Sequence, residues 1–155
     1  MNSRTCSNPK EERKAGPFPV SAEARPFPLA GSQALLIHQS LNELLNGIRG
    51  IQVYPHVGLS KPALKEIFDP LNDWIRAQET DANGLPIATF DQPFSITQIR
   101  ALRNAVELVM LDLGQDEFST RTGFSLAAAA ELLDRFNAAL LDPLHIDRQA
   151  QAFTH

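Results

Sequence analysis

The sequence SITQIRALRNAVELVMLDL, residues 95–113, carries the strongest helical signal in the chain. It opens on Ser95 and Gln98, a capping-box pair whose side chains satisfy free N–H groups at a helix start. Apolar residues then recur at alternating intervals of three and four, the spacing of a single helix face. These residues are Ile99, Leu102, Val106, Val109 and Leu113. The pattern predicts a central amphipathic helix that ends at Gly114.

Two helices are predicted before this stretch. Ser32 is a suitable N-cap, and apolar residues follow it at helical spacing. Ser60 and Pro62 mark a second start, because proline is tolerated in the first turn of a helix. Asp69-Pro70 repeats this start signal, so the second segment is predicted to be either one kinked helix or two helices.

A last helix is predicted between Ser125, its N-cap, and Asp142-Pro143, its stop signal. Residues 51–54 and 87–90 show the short apolar pattern of strands and would form a minor two-stranded β ribbon if they paired. The predicted fold class is therefore mainly α: a single small bundle of four to five helices, with at most that ribbon.

The first 31 residues are predicted to be a disordered arm. They hold five of the eleven prolines and lack an apolar period. Two Pro-Phe-Pro elements within them place Phe18 and Phe27 nine residues apart on stiff, extended backbone. These phenylalanines are candidates for docking, either in an aromatic groove or back onto an apolar patch of the body. Residues 32–143 then form the predicted helical domain, and residues 144–155 a C-terminal tail.

The net charge of −4 is unevenly distributed. Residues 1–31 hold five basic and three acidic side chains, whereas the remainder holds nine basic and fifteen acidic ones. An acidic body repels phosphate backbones, so we expect no nucleic-acid partner. No apolar run is long enough to span a bilayer, so we expect no membrane association.

A cytoplasmic location is expected from the same composition. The first twenty residues lack the continuous apolar stretch of a secretory signal and mix acidic with basic side chains. Cys6 is the only cysteine, which excludes an intrachain disulfide and a thiolate metal cage. A free thiol in a polar segment suits a reducing compartment.

The densest polar cluster lies between the last two predicted helices. Its candidate binding residues are Asp116, Glu117, Thr120, Arg121 and Thr122. The N-terminus of the following helix would favour an anion, with Arg121 as its charge partner. The alternative is an ordered turn in which Phe118 and Phe124 fill the core and the hydroxyl groups satisfy backbone donors. No phosphate-binding glycine motif supports the first interpretation.

Recognisable catalytic and metal-binding patterns are missing from the sequence. The four histidines, His38, His56, His145 and His155, have no metal-ligand spacing, and no nucleophile motif accompanies them. We therefore expect no metal and no cofactor, and consider an enzyme the less favoured class.

Two functions of different classes remain. The first is a non-catalytic protein-binding or regulatory protein of the adaptor, inhibitor or neutraliser type, which acts on another protein through its acidic helical surface. The alternative is a small enzyme or ligand-binding domain with an anion site before the last helix. Surplus apolar surface at Leu108 and Leu111 is compatible with an internal core or with a homodimer.

Overall fold

The computed structural model describes residues 24–48 and 53–141. Five α-helices lie within these ranges, and no sheet does, which confirms the predicted mainly α fold. The longest of these helices is followed by a three-residue turn and then by the last helix, and the two contact each other. The helices are α1 (Gly31–Asn46), α2 (Val53–Val57), α3 (Lys61–Ala77), α4 (Ile96–Thr122) and α5 (Leu126–Leu141).

Helix α4 is central, as predicted, because it contacts α1, α2 and α5. The Ser95 hydroxyl accepts from the Gln98 N–H at 3.1 Å, and the Gln98 side chain accepts from the Ser95 N–H at 2.9 Å. The predicted end at Gly114 is instead a kink: this glycine has φ 75° and ψ 175°, and the helix resumes after it. The helix ends at Gly123, whose φ of 80° is a left-handed conformation that favours glycine.

The starts of α1 and α3 differ in how they are capped. Helix α1 begins one residue before Ser32, so the N-cap position is occupied by Ala30, whose side chain has no oxygen to accept a hydrogen bond. Gln33 accepts from the Ala30 N–H at 3.2 Å and closes that end alone. Helix α3 has the predicted cap, in which the Ser60 hydroxyl accepts from the Ala63 N–H at 3.3 Å. Pro70 lies inside it, so the segment is one helix rather than two.

The predicted β ribbon between residues 51–54 and 87–90 is wrong. Val53 and Tyr54 begin α2, while the two residues before them lie outside the described part of the chain. Pro55 fits the first turn of a helix as well as the end of a strand, and Val53 and Val57 share a buried face. Phe90 pairs with the N-terminal arm instead.

Residues 24–30 form an extended segment that lies antiparallel to residues 90–94, so the predicted disorder does not hold for this part of the arm. Arg25 and Phe94 exchange two backbone hydrogen bonds of 2.8 and 3.0 Å. Leu29 and Phe90 exchange two more, of 2.9 and 2.8 Å. The rest of the predicted arm, Phe18 included, and the predicted tail at residues 144–155 lie outside the described residues.

Three prolines are tolerated in this pairing because they lie at positions whose N–H would point away from the partner strand. In an antiparallel pair, the N–H groups of alternate residues point away from the partner strand. Pro26, Pro28 and Pro93 fall at those positions, so their missing N–H groups remove no hydrogen bond between the strands. Side chains alternate as well: Phe27 and Leu29 are buried, whereas Pro26 and Pro28 are exposed.

Candidate protein-binding surface

The five predicted binding residues lie on a helix and not in a loop. Residues 116–122 belong to the part of α4 after the Gly114 kink, which the sequence interpretation took for a connection. Gly114 is a predicted helix end, but the chain returns to helical geometry immediately after it. Only Gly123 to Ser125 separate α4 from α5.

Arg121 is held between two carboxylates. Its Nη1 donates to Glu43 Oε1 of α1 at 3.0 Å, and its Nε donates to Glu117 Oε2 at 3.0 Å. The hydrogen bond to Glu43, followed by that to Glu117, raises the pKa of Arg121. The guanidinium is thus paired within the protein, which favours a structural role for it over the predicted role as partner of an anion.

The two threonines of the cluster donate their hydroxyl protons to backbone carbonyls. Thr120 donates to Asp116 O at 2.9 Å, and Thr122 donates to Phe118 O at 2.6 Å. The buried Thr122 oxygen also accepts from the Phe124 N–H at 3.2 Å, while Phe118 is fully buried. These contacts agree with the second sequence interpretation, in which Phe118 fills the core and hydroxyl groups bond to the backbone near the α4–α5 junction.

We define the acidic hairpin as residues 111–141, which comprise the end of α4 and all of α5. It contains five acidic side chains and two arginines, a net charge of −3. Both arginines are engaged within the protein, whereas all five carboxylate-bearing residues are exposed. The acidic members are Asp112, Asp116, Glu117, Glu131 and Asp134.

Large apolar side chains also reach the surface of the acidic hairpin. Leu111 is 74% exposed and directly precedes Asp112. Leu141, at the end of α5, is 87% exposed. The two leucines that the sequence analysis singled out on α4 therefore differ: Leu108 is half-buried and packs against the core, whereas Leu111 faces the solvent.

A second feature is the site that holds Phe27, which we call the Phe27 socket; Phe136, Arg135 and residues 90–94 form it. The Phe27 ring stacks on Phe136 with centroids 5.3 Å apart and an interplanar angle of 15°. The Arg135 guanidinium lies 4.3 Å from the Phe27 centroid, and its Nη1 donates to Pro28 O at 2.8 Å. Burial lowers the pKa of Arg135. Phe27 therefore folds back onto its own body.

Sequence reasoning missed the residues that act across long separations. Glu43 meets Arg121 from another helix, and Arg135 reaches the arm, so neither contact lies within the i, i+4 range that a sequence pattern reveals. His56, one of the four histidines without a recognisable motif, is exposed on α2. An open groove of about 400 Å³ lies nearby, lined by Tyr54, Pro55 and residues 58–60.

No protein-family model, curated protein or solved structure matches this chain. Among the described residues, no group of three or more histidine, cysteine, aspartate and glutamate side chains is placed to hold a metal ion. None of the helices in the described ranges combines the length and apolar character needed to cross a bilayer.

Proposed function

We propose that this protein is a non-catalytic, cytoplasmic binding protein of the adaptor, inhibitor or neutraliser type, which recognises another protein through the acidic hairpin. One observation carries the proposal: Leu111 is 74% exposed in a stretch whose exposed charged side chains are mainly carboxylates. A large exposed apolar side chain beside charges of one sign provides both a contact to bury and a field to attract a partner.

The partner that fits this surface is a protein with a basic segment that presents an apolar side chain. Arg121 and Arg135 lower the charge of the hairpin to −3, but carboxylates and the arm already engage their guanidinium groups, so neither presents a free cation to such a partner. Complementary charges accelerate association and make it sensitive to salt, whereas burial of Leu111 would contribute to affinity. A second copy of the chain is a poor fit, because two acidic hairpins repel each other.

Affinity purification of the full-length protein from its native cell, with quantitative mass spectrometry, tests the proposal. The test variant combines Leu111→Ser, Asp112→Lys and Asp116→Lys. The matched control combines Ile87→Ser, Glu66→Lys and Asp73→Lys, which changes one exposed apolar residue and two exposed carboxylates away from the hairpin. Circular dichroism verifies that both variants remain folded.

We expect one stoichiometric protein partner that the control retains, that the test variant loses and that elevated salt releases. Equal recovery by both variants would place the binding surface elsewhere. The absence of any partner, or a homodimer in sedimentation analysis that the hairpin variant dissociates, would contradict the proposal.

A further inference from the structure

We propose that residues 15–20 are a second, intrachain ligand for the Phe27 socket, able to dock there in place of residues 24–29. The two segments read Ala15-Gly16-Pro17-Phe18-Pro19-Val20 and Ala24-Arg25-Pro26-Phe27-Pro28-Leu29. The alanine, the phenylalanine and both prolines are identical, a valine stands for the leucine, and Gly16 stands for Arg25. This inference does not rest on the proposed function, although Arg135 and Phe136 of the socket belong to the acidic hairpin.

The socket recognises features that both segments possess. Its side-chain contacts are made to a phenylalanine ring, through Phe136 at 5.3 Å and Arg135 at 4.3 Å. Its polar contact is made to a main-chain oxygen, since Arg135 donates to the carbonyl of the proline that follows that ring. Phe18 and the Pro19 carbonyl offer the same two groups in the same order.

The backbone pattern is also repeated. Docking requires an N–H and a carbonyl at the positions of Arg25 and Leu29, which exchange hydrogen bonds with Phe94 and Phe90. Gly16 and Val20 provide both groups at the equivalent positions. The prolines of the upstream segment again fall where the N–H would point away from the partner, so they remove no hydrogen bond between the strands.

The downstream segment is favoured in the unmodified chain for two physical reasons. Leu29 is larger than Val20, so it buries more apolar surface. Leu29 also lies two residues from the start of α1, so its docking leaves no looped-out segment before that helix. Docking of residues 15–20 loops out residues 21–30, but the entropy cost of loop closure grows only slowly with length. Attachment to the same chain keeps the upstream segment at high local concentration. It becomes the main occupant when Phe27 is removed.

Thermal unfolding of four full-length chains tests this exchange: the unmodified protein, Phe18→Ala, Phe27→Ala and the double variant. We expect Phe18→Ala to leave the melting midpoint unchanged when Phe27 is present. In the Phe27→Ala background, Phe18→Ala should lower the midpoint by about 3 °C or more, the scale of a modest loss of buried contacts in a domain of this size. Ile87→Ala, which truncates an apolar side chain that is 67% exposed and outside the socket, is the control and should shift the two backgrounds equally.

An effect of Phe18→Ala that is the same in both backgrounds, including no effect in either, would overturn the proposal. If Phe27→Ala does not fold, Phe27→Leu replaces it, since leucine keeps apolar bulk but has no ring to stack on Phe136.

A photocrosslinker locates the occupant directly. p-Benzoylphenylalanine at position 18 of the Phe27→Leu chain, at low protein concentration, should crosslink to α5 peptides around Phe136 within a monomer. A crosslink between two copies, or none to α5, contradicts intrachain docking.

Discussion

Arg121 of α4 and Glu43 of α1 form an ion pair of 3.0 Å that joins the segment after the Gly114 kink to the first helix of the bundle. Glu43 is only 15% exposed, so its carboxylate depends on this partner more than a fully hydrated one would.

The first prediction concerns this pair. Arg121→Ala and Glu43→Gln should each lower the free energy of unfolding, and the double variant should lose less than the sum of the two. The coupling should shrink as salt is added, because the arginine is exposed to screening. Urea denaturation at low and high salt measures it. Arg100→Ala, an exposed arginine of the same helix, is the control and should show no coupling with Glu43→Gln.

The hydroxyl of Thr122 is expected to stabilise the α4–α5 junction. Thr122→Val keeps the shape of the side chain but removes the acceptor of the Phe124 N–H, and should cost about 1–3 kcal/mol of unfolding free energy. Thr120→Val removes an exposed hydroxyl with a similar helical contact, and should change stability by less than about 0.5 kcal/mol. Chemical denaturation of both variants checks the difference; equal losses would show that burial of Thr122 is unimportant.

The missing cap of α1 should be easy to supply. Ala30 has extended dihedral angles, φ −58° and ψ 154°, and Gln33 already provides half of a capping box. Ala30→Ser would complete the box and should raise the free energy of unfolding by about 1 kcal/mol. The matched change is Ser95→Ala, which removes the complete box of α4 and should lower stability by about the same amount. Thermal melts of both variants test whether the shifts have opposite signs.

Ser40 is a buried residue whose hydroxyl has no hydrogen-bond partner within residues 24–48 and 53–141. An unsatisfied buried hydroxyl costs free energy, so Ser40→Ala should leave stability unchanged or raise it by up to about 1 kcal/mol. Denaturation curves measured beside those of Ser32→Ala, a partly exposed serine of the same helix, give the comparison. A loss above about 1 kcal/mol would show that the hydroxyl has a partner in solution.

Features fixed by neighbouring residues could be predicted from the sequence. The caps at Ser60 and Ser95 were correct because each depends on residues within one helical turn. The buried face of α4 was correct for a similar reason, since periodicity alone determines which side of a helix is apolar. Pro70 was ambiguous locally, and packing of α3 against α1 decides for a single helix.

Features that depend on distant residues could not be predicted. Folding of Phe27 back onto the body was one of the two sequence interpretations, but its partners, Phe136 of α5 and the extended residues 90–94, could not be predicted from the arm. The interpretation of Gly114 failed differently: a positive φ ends a helix only if the chain then leaves helical geometry, which tertiary packing decides. Arg121 was a reasonable anion ligand until Glu43 was brought beside it.

The pairing of residues 24–30 with residues 90–94 also has a consequence for the order of events during translation. Synthesis proceeds from the N-terminus, so Phe27 leaves the ribosome well before Phe94 and long before Phe136. Until those residues emerge, its ring has no native surface to cover. The part of the described chain that is synthesised first is therefore among the last to reach its native position. During most of elongation the Phe27 ring stays exposed to solvent.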